Sequence, residues 1–442
     1  LSGAGGSGVA PSTGGVVGRP VTGAVGPSGG PLAGSTPGTG GGGAACGPLT
    51  ATDNGVTAKD ITVGVVVVDL GGASGVINLP TPEELKRAYS AAIDDVNAKG
   101  GVRCRKLKAK FYNDSVFDTS QEHAACLQMA ADKVFTVFNN FFTTAESTCV
   151  AKQKIPNIWY GPPHTPDVKR YAPYIMSWHP HYDQLIKHYV HGTAARGWLK
   201  GMKKLGLLEQ SCYADENSAI RRELQSIGVK LAEVSVFNYG CDATPADPSK
   251  DQAAVLQFKR EGVTHVMNVA YTYDANFSIA ADQQSYDPQF SHMEDASATA
   301  IEAQSQKPGR SYDGTLLISA IETGANHTPG YRYNKASQDC AALMKKAGLP
   351  APYAEPKALF FGIACVNVAM FKDAAEKAPS LVRTQLATGL SRVGPEELAY
   401  PASPAIFNSA EFPTGGQQWR PGKWVSACQC WQVTDARYRP GY

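Results

Sequence analysis

The chain has 442 residues, of which 18% are charged, a formal net charge of +2 and ten cysteines. That length allows one to three domains and a large core. Lys and Arg are scattered, with no basic run long enough for a phosphate footprint, which argues against nucleic acid; no apolar stretch reads as the ~20 residues a membrane helix needs.

Residues 1–50 are almost entirely Gly, Ser, Pro, Val, Ala and Thr. Such a segment buries too little surface to offset its ordering entropy, so a flexible tether is expected there. Leu1 is an unusual natural start, which suggests a trimmed export product. A lipid-anchored cysteine upstream of it would suit a tether.

The ordered part opens with ITVGVVVVDLGGASG, a run of β-branched residues that ends in glycines. It is apolar without alternation, as in a strand covered on both faces. TPEELKRAYSAAIDDVNAKGG follows, with Pro82 and two acids at its start and Gly100-Gly101 at its end. Those are helix start and stop signals. KLKAKFYND then alternates toward Asn113-Asp114. Strand, crossover helix and strand form one unit of a parallel sheet.

DTSQEHAACLQMAADKV reads as a helix capped by Thr119 or Ser120, FTVFNNFFTT as a strand and loop, ESTCVAKQKI as a short helix and PNIWYG as a strand. The Pro-rich, aromatic stretch from Tyr171 to His181 reads as a passage into a second lobe. There the alternation resumes through KKLGLLEQS, AIRRELQSIG, VKLAEVSVFNYG, DPSKDQAAVLQFKREG and VTHVMNVAYTYDAN. KASQDCAALMKKAGLP and PKALFFGIACVNVAMFKDAAEKA read as helices, the second largely buried. The fold class is therefore α/β, with two Rossmann-like lobes, each a parallel sheet flanked by helices. Ligands in such sheets sit beyond the carboxyl ends of the strands. The loops to watch are 69–74, 139–144 and 160–164 in one lobe, and 213–218, 238–242 and 271–276 in the other.

The cysteines are even in number, widely spread and free of any CxxC pair, which favours disulfides over zinc and implies an oxidising compartment. Cys126 and Cys149 flank one strand on neighbouring helices and form a candidate pair. Cys340 and Cys365 sit on two helices, and Cys212 and Cys241 each follow a strand; these are the other candidates. Cys428 and Cys430 alternate on an expected strand, point to opposite faces and should not pair with each other.

The motifs GxSxG, GxxxxGK[ST], HExxH and a GxGxxG after the first strand are all absent. A secreted hydrolase on an α/β sheet is accordingly remote, and no catalysis and no cofactor are expected. HPHYDQLIKHYVH holds His179, His181, His188 and His191, with Asp183 as an acidic neighbour. Spacing alone is weak grounds for a metal there, and none is expected. FNNFFTT, IWYGPPH and AYTYDANF combine aromatics with hydroxyls, as binding clefts do.

ITVGVV, AAIDDVNAKGG and RKLKAKFYND resemble the opening of the branched-chain amino-acid-type (Leu/Ile/Val-binding-like) substrate-binding proteins of ABC importers, and the likeness continues to about Asp435. The resemblance implies a type I periplasmic-binding-protein fold with a three-crossing hinge. It implies lobe one at about 60–176 plus 323–400 and lobe two at 177–322 plus 401–442. It also implies an extracytoplasmic receptor for an amino acid or related small molecule, partnered by an ABC permease and ATPase. Membrane contact would come only through an N-terminal lipid anchor. A sensor of the same fold, reporting to a membrane partner, is the alternative.

By this resemblance Thr143 and Thr144 would hold a ligand carboxylate at a helix start, and Gly161 to Pro163 would give backbone contacts, although Pro162 and Pro163 lack N–H donors. Glu216 takes the place of a family aromatic, and Tyr273 matches a second one. Glu294 would hold a ligand ammonium, with Asp295 or Asp274 as alternatives. Asn139, Phe141, Tyr160 and Tyr271 complete the expected cleft.

Overall fold

The structure, a computed structural model, describes residues 48–69, 79–115, 118–140, 144–240, 248–268, 273–294, 298, 301–302, 307–402 and 404–442. Residues 1–47 of the tether expected over 1–50, and the roles given to Phe141, Thr143, Cys241, Tyr271 and Asp295, lie outside the described residues.

The first sheet is built on β1 (Asp60–Val68), buried throughout from Val63 to Val68. It pairs in parallel with β2 (Lys106–Asp114) on one side and β3 (Thr136–Asn139) on the other. β4 (Asn157–Trp159) and β5 (Ile175–Ser177) extend it in the order β2-β1-β3-β4-β5. β5 corrects the sequence reading, which took this stretch for a connector. Only three residues pair, and the aromatic, Pro-containing flanks hid them.

The helices follow their end signals closely. In α1 (Pro82–Ala98), Thr81 accepts from the Glu84 N–H while the Glu84 carboxylate accepts from the Thr81 N–H, a reciprocal capping box. Gly100 and Gly101, at φ 106° and 76°, turn the chain out of it. α2 (Thr119–Ala131) is capped by Asp118, not by Thr119 or Ser120: its carboxylate accepts from the N–H groups of Ser120 and Gln121. α3 (Thr144–Lys152) and α4 (Thr165–Tyr171) follow β3 and β4.

The second sheet begins after α5 (Tyr182–Ala195). Its parallel strands are β6 (Leu205–Glu209), β7 (Val234–Asn238), β8 (His265–Asn268), β9 (Gln289–Met293) and β10 (Leu316–Ser319), with α6 (Ala214–Ser226), α7 (Pro248–Glu261) and α8 (Tyr273–Gln283) between them. The chain then returns to the first core through α9 (Lys335–Lys346), α10 (Leu359–Lys377) and α11 (Leu386–Leu390). β11 (Pro395–Glu396) and β12 (Ala405–Ile406) form a short antiparallel ladder. β13 (Gln418–Val425) and β14 (Cys430–Val433) add antiparallel to the second sheet, giving the order β14-β13-β10-β9-β8-β6-β7, with β15 (Arg439–Pro440) on β13. The stretch Pro356–Lys377 is long and apolar enough to cross a membrane, which the sequence reading missed, yet 78% of its apolar window is buried in the protein.

Core membership locates the passages between lobes. Trp178 packs in the first core and Leu185 in the second; Ala320 packs in the second and Ile321 in the first. Phe407 still belongs to the first core, and Trp419 to the second. Ala402, Ala405 and Phe407, assigned from sequence to the second lobe, therefore pack with the first.

Cys126–Cys149 and Cys340–Cys365 are bonded, joining α2 to α3 and α9 to α10. Cys212 is also disulfide-bonded, while its expected partner Cys241 lies outside the described residues. Cys428 and Cys430 are bonded to each other, which overturns the expectation from strand alternation. Cys428 is not on a strand. It lies in the tight turn between β13 and β14, where its N–H donates to the Val425 carbonyl and Gln429 takes φ 54°. The turn brings the two Cα atoms to 5.2 Å, within disulfide reach.

Candidate functional site

The carboxyl ends of several strands carry buried polar side chains. β3 ends in Asn139, fully buried, followed by Asn140. The Asn140 Oδ1 accepts from the Tyr89 hydroxyl at 2.6 Å, and the Asn367 amide donates to the same hydroxyl at 2.8 Å. One strand end is thereby tied to α1 and α10. Burial holds the Tyr89 hydroxyl well above its ordinary value, so it stays protonated as a donor.

After β4, the Tyr160 N–H donates to the Asn139 carbonyl at 3.1 Å. Its ring meets those of Trp178, His179 and Phe360 at 5.8, 6.0 and 5.7 Å. Tyr160 is thus packed into the first core. The Gly161 carbonyl accepts from the Ser177 hydroxyl at 2.9 Å, which fixes the next turn. His179 is fully buried, and burial pushes it down to about 3, so it is neutral.

Glu216 sits in the first turn of α6, 4% exposed. Its carboxylate pairs with the Nδ1 of His164, which comes from the loop after β4 in the other lobe. Tyr213 stacks on that imidazole at 5.7 Å and 8°, and Tyr182 lies at 5.1 Å from it. The expected site residues Tyr160, Gly161 and Glu216 are therefore joined through one short loop.

Glu294 follows β9 and is fully buried, with its N–H donating to the Ile318 carbonyl. Its charge bears on the buried Tyr400 hydroxyl, together with Glu302 and Glu322. Thr144 opens α3, and Tyr273 and Asp274 open α8. These three stand at helix starts that follow sheet strands.

The histidines of HPHYDQLIKHYVH have separate partners. His181 meets the Thr165 hydroxyl, His188 the Gly416 carbonyl and His191 the Glu223 carboxylate. Among the described residues no three His, Cys, Asp or Glu side chains converge on a point.

Sequence reasoning missed Glu209, the last residue of β6. It is 1% exposed and pairs with Arg221 at 2.5 Å. Burial pushes its carboxyl up to about 7 from 4.5, with Arg221 opposing. The folded carboxyl thus holds its proton where the unfolded one has lost it. Stability is then greatest below 4.5 and falls as pH rises toward 7. Between about pH 5 and about pH 8, wild type should lose about 2 kcal/mol more stability than Glu209→Gln. Urea midpoints at the two pH values measure this, and equal losses in both proteins would refute it.

A family model described as periplasmic binding protein matches residues 60–427. The chain belongs to this family of solute-binding proteins. No curated protein matches the sequence. Among solved structures, a fatty acid ABC transporter substrate-binding protein from Thermomonospora curvata aligns over 89% of this chain and 95% of its own, at 16% identity and a TM-score of 0.65. A solute-binding protein from R. palustris in complex with 4-hydroxybenzoate aligns over 87% and 98%, at 13% identity and a TM-score of 0.62. A leucine-binding protein from Thermotoga maritima aligns over 85% and 97%, at 12% identity and a TM-score of 0.61. At such identities the likeness is one of fold: the two-lobed, type I periplasmic-binding architecture.

Proposed function

We propose that the chain captures a small organic molecule, an amino acid or a related organic acid, outside the cytoplasm and delivers it to an ABC permease and ATPase. The observation that carries this reading is the approach of two strand-end rims. The loop after β4 in one lobe meets the start of α6 in the other through His164 and Glu216. A guest held between such rims is desolvated from both sides, and charge-assisted hydrogen bonds then make closure depend on it.

In this reading Thr143, Thr144 and the start of α3 hold a carboxylate, as a helix N-terminus can. Glu294 holds the opposite, ammonium end, with Asp274 as its alternative. Asn139, Phe141, Tyr160, Gly161, Tyr271 and Tyr273 form the walls. The lobes, packed about the first core through Trp178 and again from Ile321 to Phe407, and about the second from Leu185 to Ala320 and again from Trp419, hinge about their three connections. The fatty acid and leucine substrate-binding relatives, and the one in complex with 4-hydroxybenzoate, support a carboxylate-bearing guest. The glycine-rich 1–50 segment serves as a tether to a membrane anchor.

The test is a thermal-shift panel of amino acids, fatty acids and aromatic acids, with mass spectrometry of any co-purified guest. A guest at 100 times its Kd should stabilise the protein by about 2.7 kcal/mol. A panel that moves the melting temperature nowhere, together with an empty protein by mass spectrometry, defeats the reading.

A further inference from the structure

His164 joins one lobe to the other by more than one kind of contact. It stands after Pro162 and Pro163 in the loop that follows β4, where it is the residue before α4. That loop is tied to the second lobe on one side already: the Tyr182 N–H donates to the Pro163 carbonyl at 3.1 Å, and the Asp183 N–H to the Thr165 hydroxyl at 3.1 Å. Both acceptors flank His164, so its backbone is held at the start of α5.

The imidazole then reaches a slot made wholly by the second lobe. Tyr213 lies parallel to it, Tyr182 is tilted over it, and the Glu216 carboxylate accepts from Nδ1. Side-chain exposure is 18% for His164 and 5% for Glu216, so water competes poorly for this bond. Asp167 on α4 is the further charged group close to both; it feels the His164 and Glu216 charges along with those of Arg170 and Lys152. A ring gripped between tyrosines, with its N–H on a buried carboxylate, is a directional contact. It exists only while the rims are together.

We propose that His164 and Glu216 form a clasp across the cleft, which biases the unoccupied protein toward its closed form and sets how readily the rims part to admit a guest. This rests on the capture reading above, in which the lobes hinge. A charge-assisted hydrogen bond of this kind should favour the closed form by on the order of tenfold or more. Glu216 would then serve closure, not the guest, which separates its role from the one expected from sequence.

The test reads the clasp with no guest present, so its outcome is independent of the thermal-shift panel. Donor and acceptor dyes are placed through non-natural keto residues at the exposed positions Lys99, at the end of α1, and Arg222, on α6. Single-molecule energy transfer gives the ratio of closed to open molecules. In wild type the closed distance should dominate. His164→Ala and the near-isosteric Glu216→Gln should each lower the closed-to-open ratio by on the order of tenfold, and the double variant should go no further. Urea midpoints for each variant show whether the fold has survived. A ratio unchanged in both single variants overturns the clasp. So does opening by His164→Ala alone, which would make the contact one of packing without the carboxylate.

Discussion

Arg420→Ala is expected to destabilise the protein by about 3–5 kcal/mol, the cost of breaking a buried charge network by removing one member. Arg420 lies on β13, 1% exposed, opposite Ser319 at the end of β10. Its guanidinium is placed over the rings of Tyr331 and Tyr438 at 5.1 and 4.8 Å. Its Nη1 donates to the Tyr331 hydroxyl at 2.8 Å, and that hydroxyl donates to Glu322 at 2.7 Å. Nε and Nη2 have no hydrogen-bond partner among the described residues. The arginine is therefore not fully repaid by hydrogen bonds, and what it contributes is charge and ring contact.

Taking it away leaves the buried Glu322 carboxyl with its Tyr331 hydrogen bond and the Glu397 charge still acting against its ionisation, and opens a void between two rings. Burial already pushes that carboxyl up, so the variant can partly recover by holding a proton, which limits the loss. Arg420→Met, which refills the void, should cost clearly less than alanine, and adding Glu322→Gln to it should recover more. Urea unfolding of the four proteins measures this. A loss below about 1 kcal/mol for alanine would place Arg420 among ordinary surface charges. The place of this network gives it weight. Glu322 donates its N–H to the Pro401 carbonyl, so the chain just after the second passage between lobes is bonded to the first-lobe segment that leads toward the third.

None of this was legible in the sequence, where Arg420 is one of 41 scattered basic residues. Burial of a charge depends on partners distant in the chain: Tyr331 is 89 residues away. What could be read locally was read well. The unbroken apolar run of β1, the Pro82 start and Gly100-Gly101 stop of α1, and the alternation of strands with helices each follow from short-range chemistry. The errors arise where a local rule met a tertiary fact. Strand alternation was applied to Cys428, which sits in a turn, and β5 was too short to show a pattern. For the candidate site, the strand-end rule pointed to the loops that hold Tyr160, Gly161 and Glu216 because it depends on topology alone, whereas Glu294 was reached only through the family resemblance. The rule could not say that Glu216 faces His164, since which rim residues touch is decided by how the two lobes meet.

The described disulfides should differ sharply in what they contribute, and loop length decides the order. Cys126–Cys149 closes a separation of 23 residues and Cys340–Cys365 one of 25. By the chain-entropy model each removes about 3 kcal/mol of freedom from the unfolded chain. Cys428–Cys430 closes a separation of 2, which the same relation values at about 1 kcal/mol. Paired Cys→Ala variants should therefore lose about 3, 3 and 1 kcal/mol in urea unfolding. The first bridge has a second consequence. It clamps α2 to α3, the helices before and after β3, whose end supplies Asn139 and whose following helix begins at Thr144. Cys126→Ala/Cys149→Ala should thus weaken guest binding at temperatures where the variant is still folded. The Cys340–Cys365 bridge joins α9 to α10, and α10 reaches that strand end only through Asn367 and Tyr89, so Cys340→Ala/Cys365→Ala should cost stability with a smaller change in affinity. Equal losses from all three pairs would show that native-state strain, not chain entropy, sets the scale. An affinity unchanged in the first variant would free the rim after β3 from any dependence on its flanking helices.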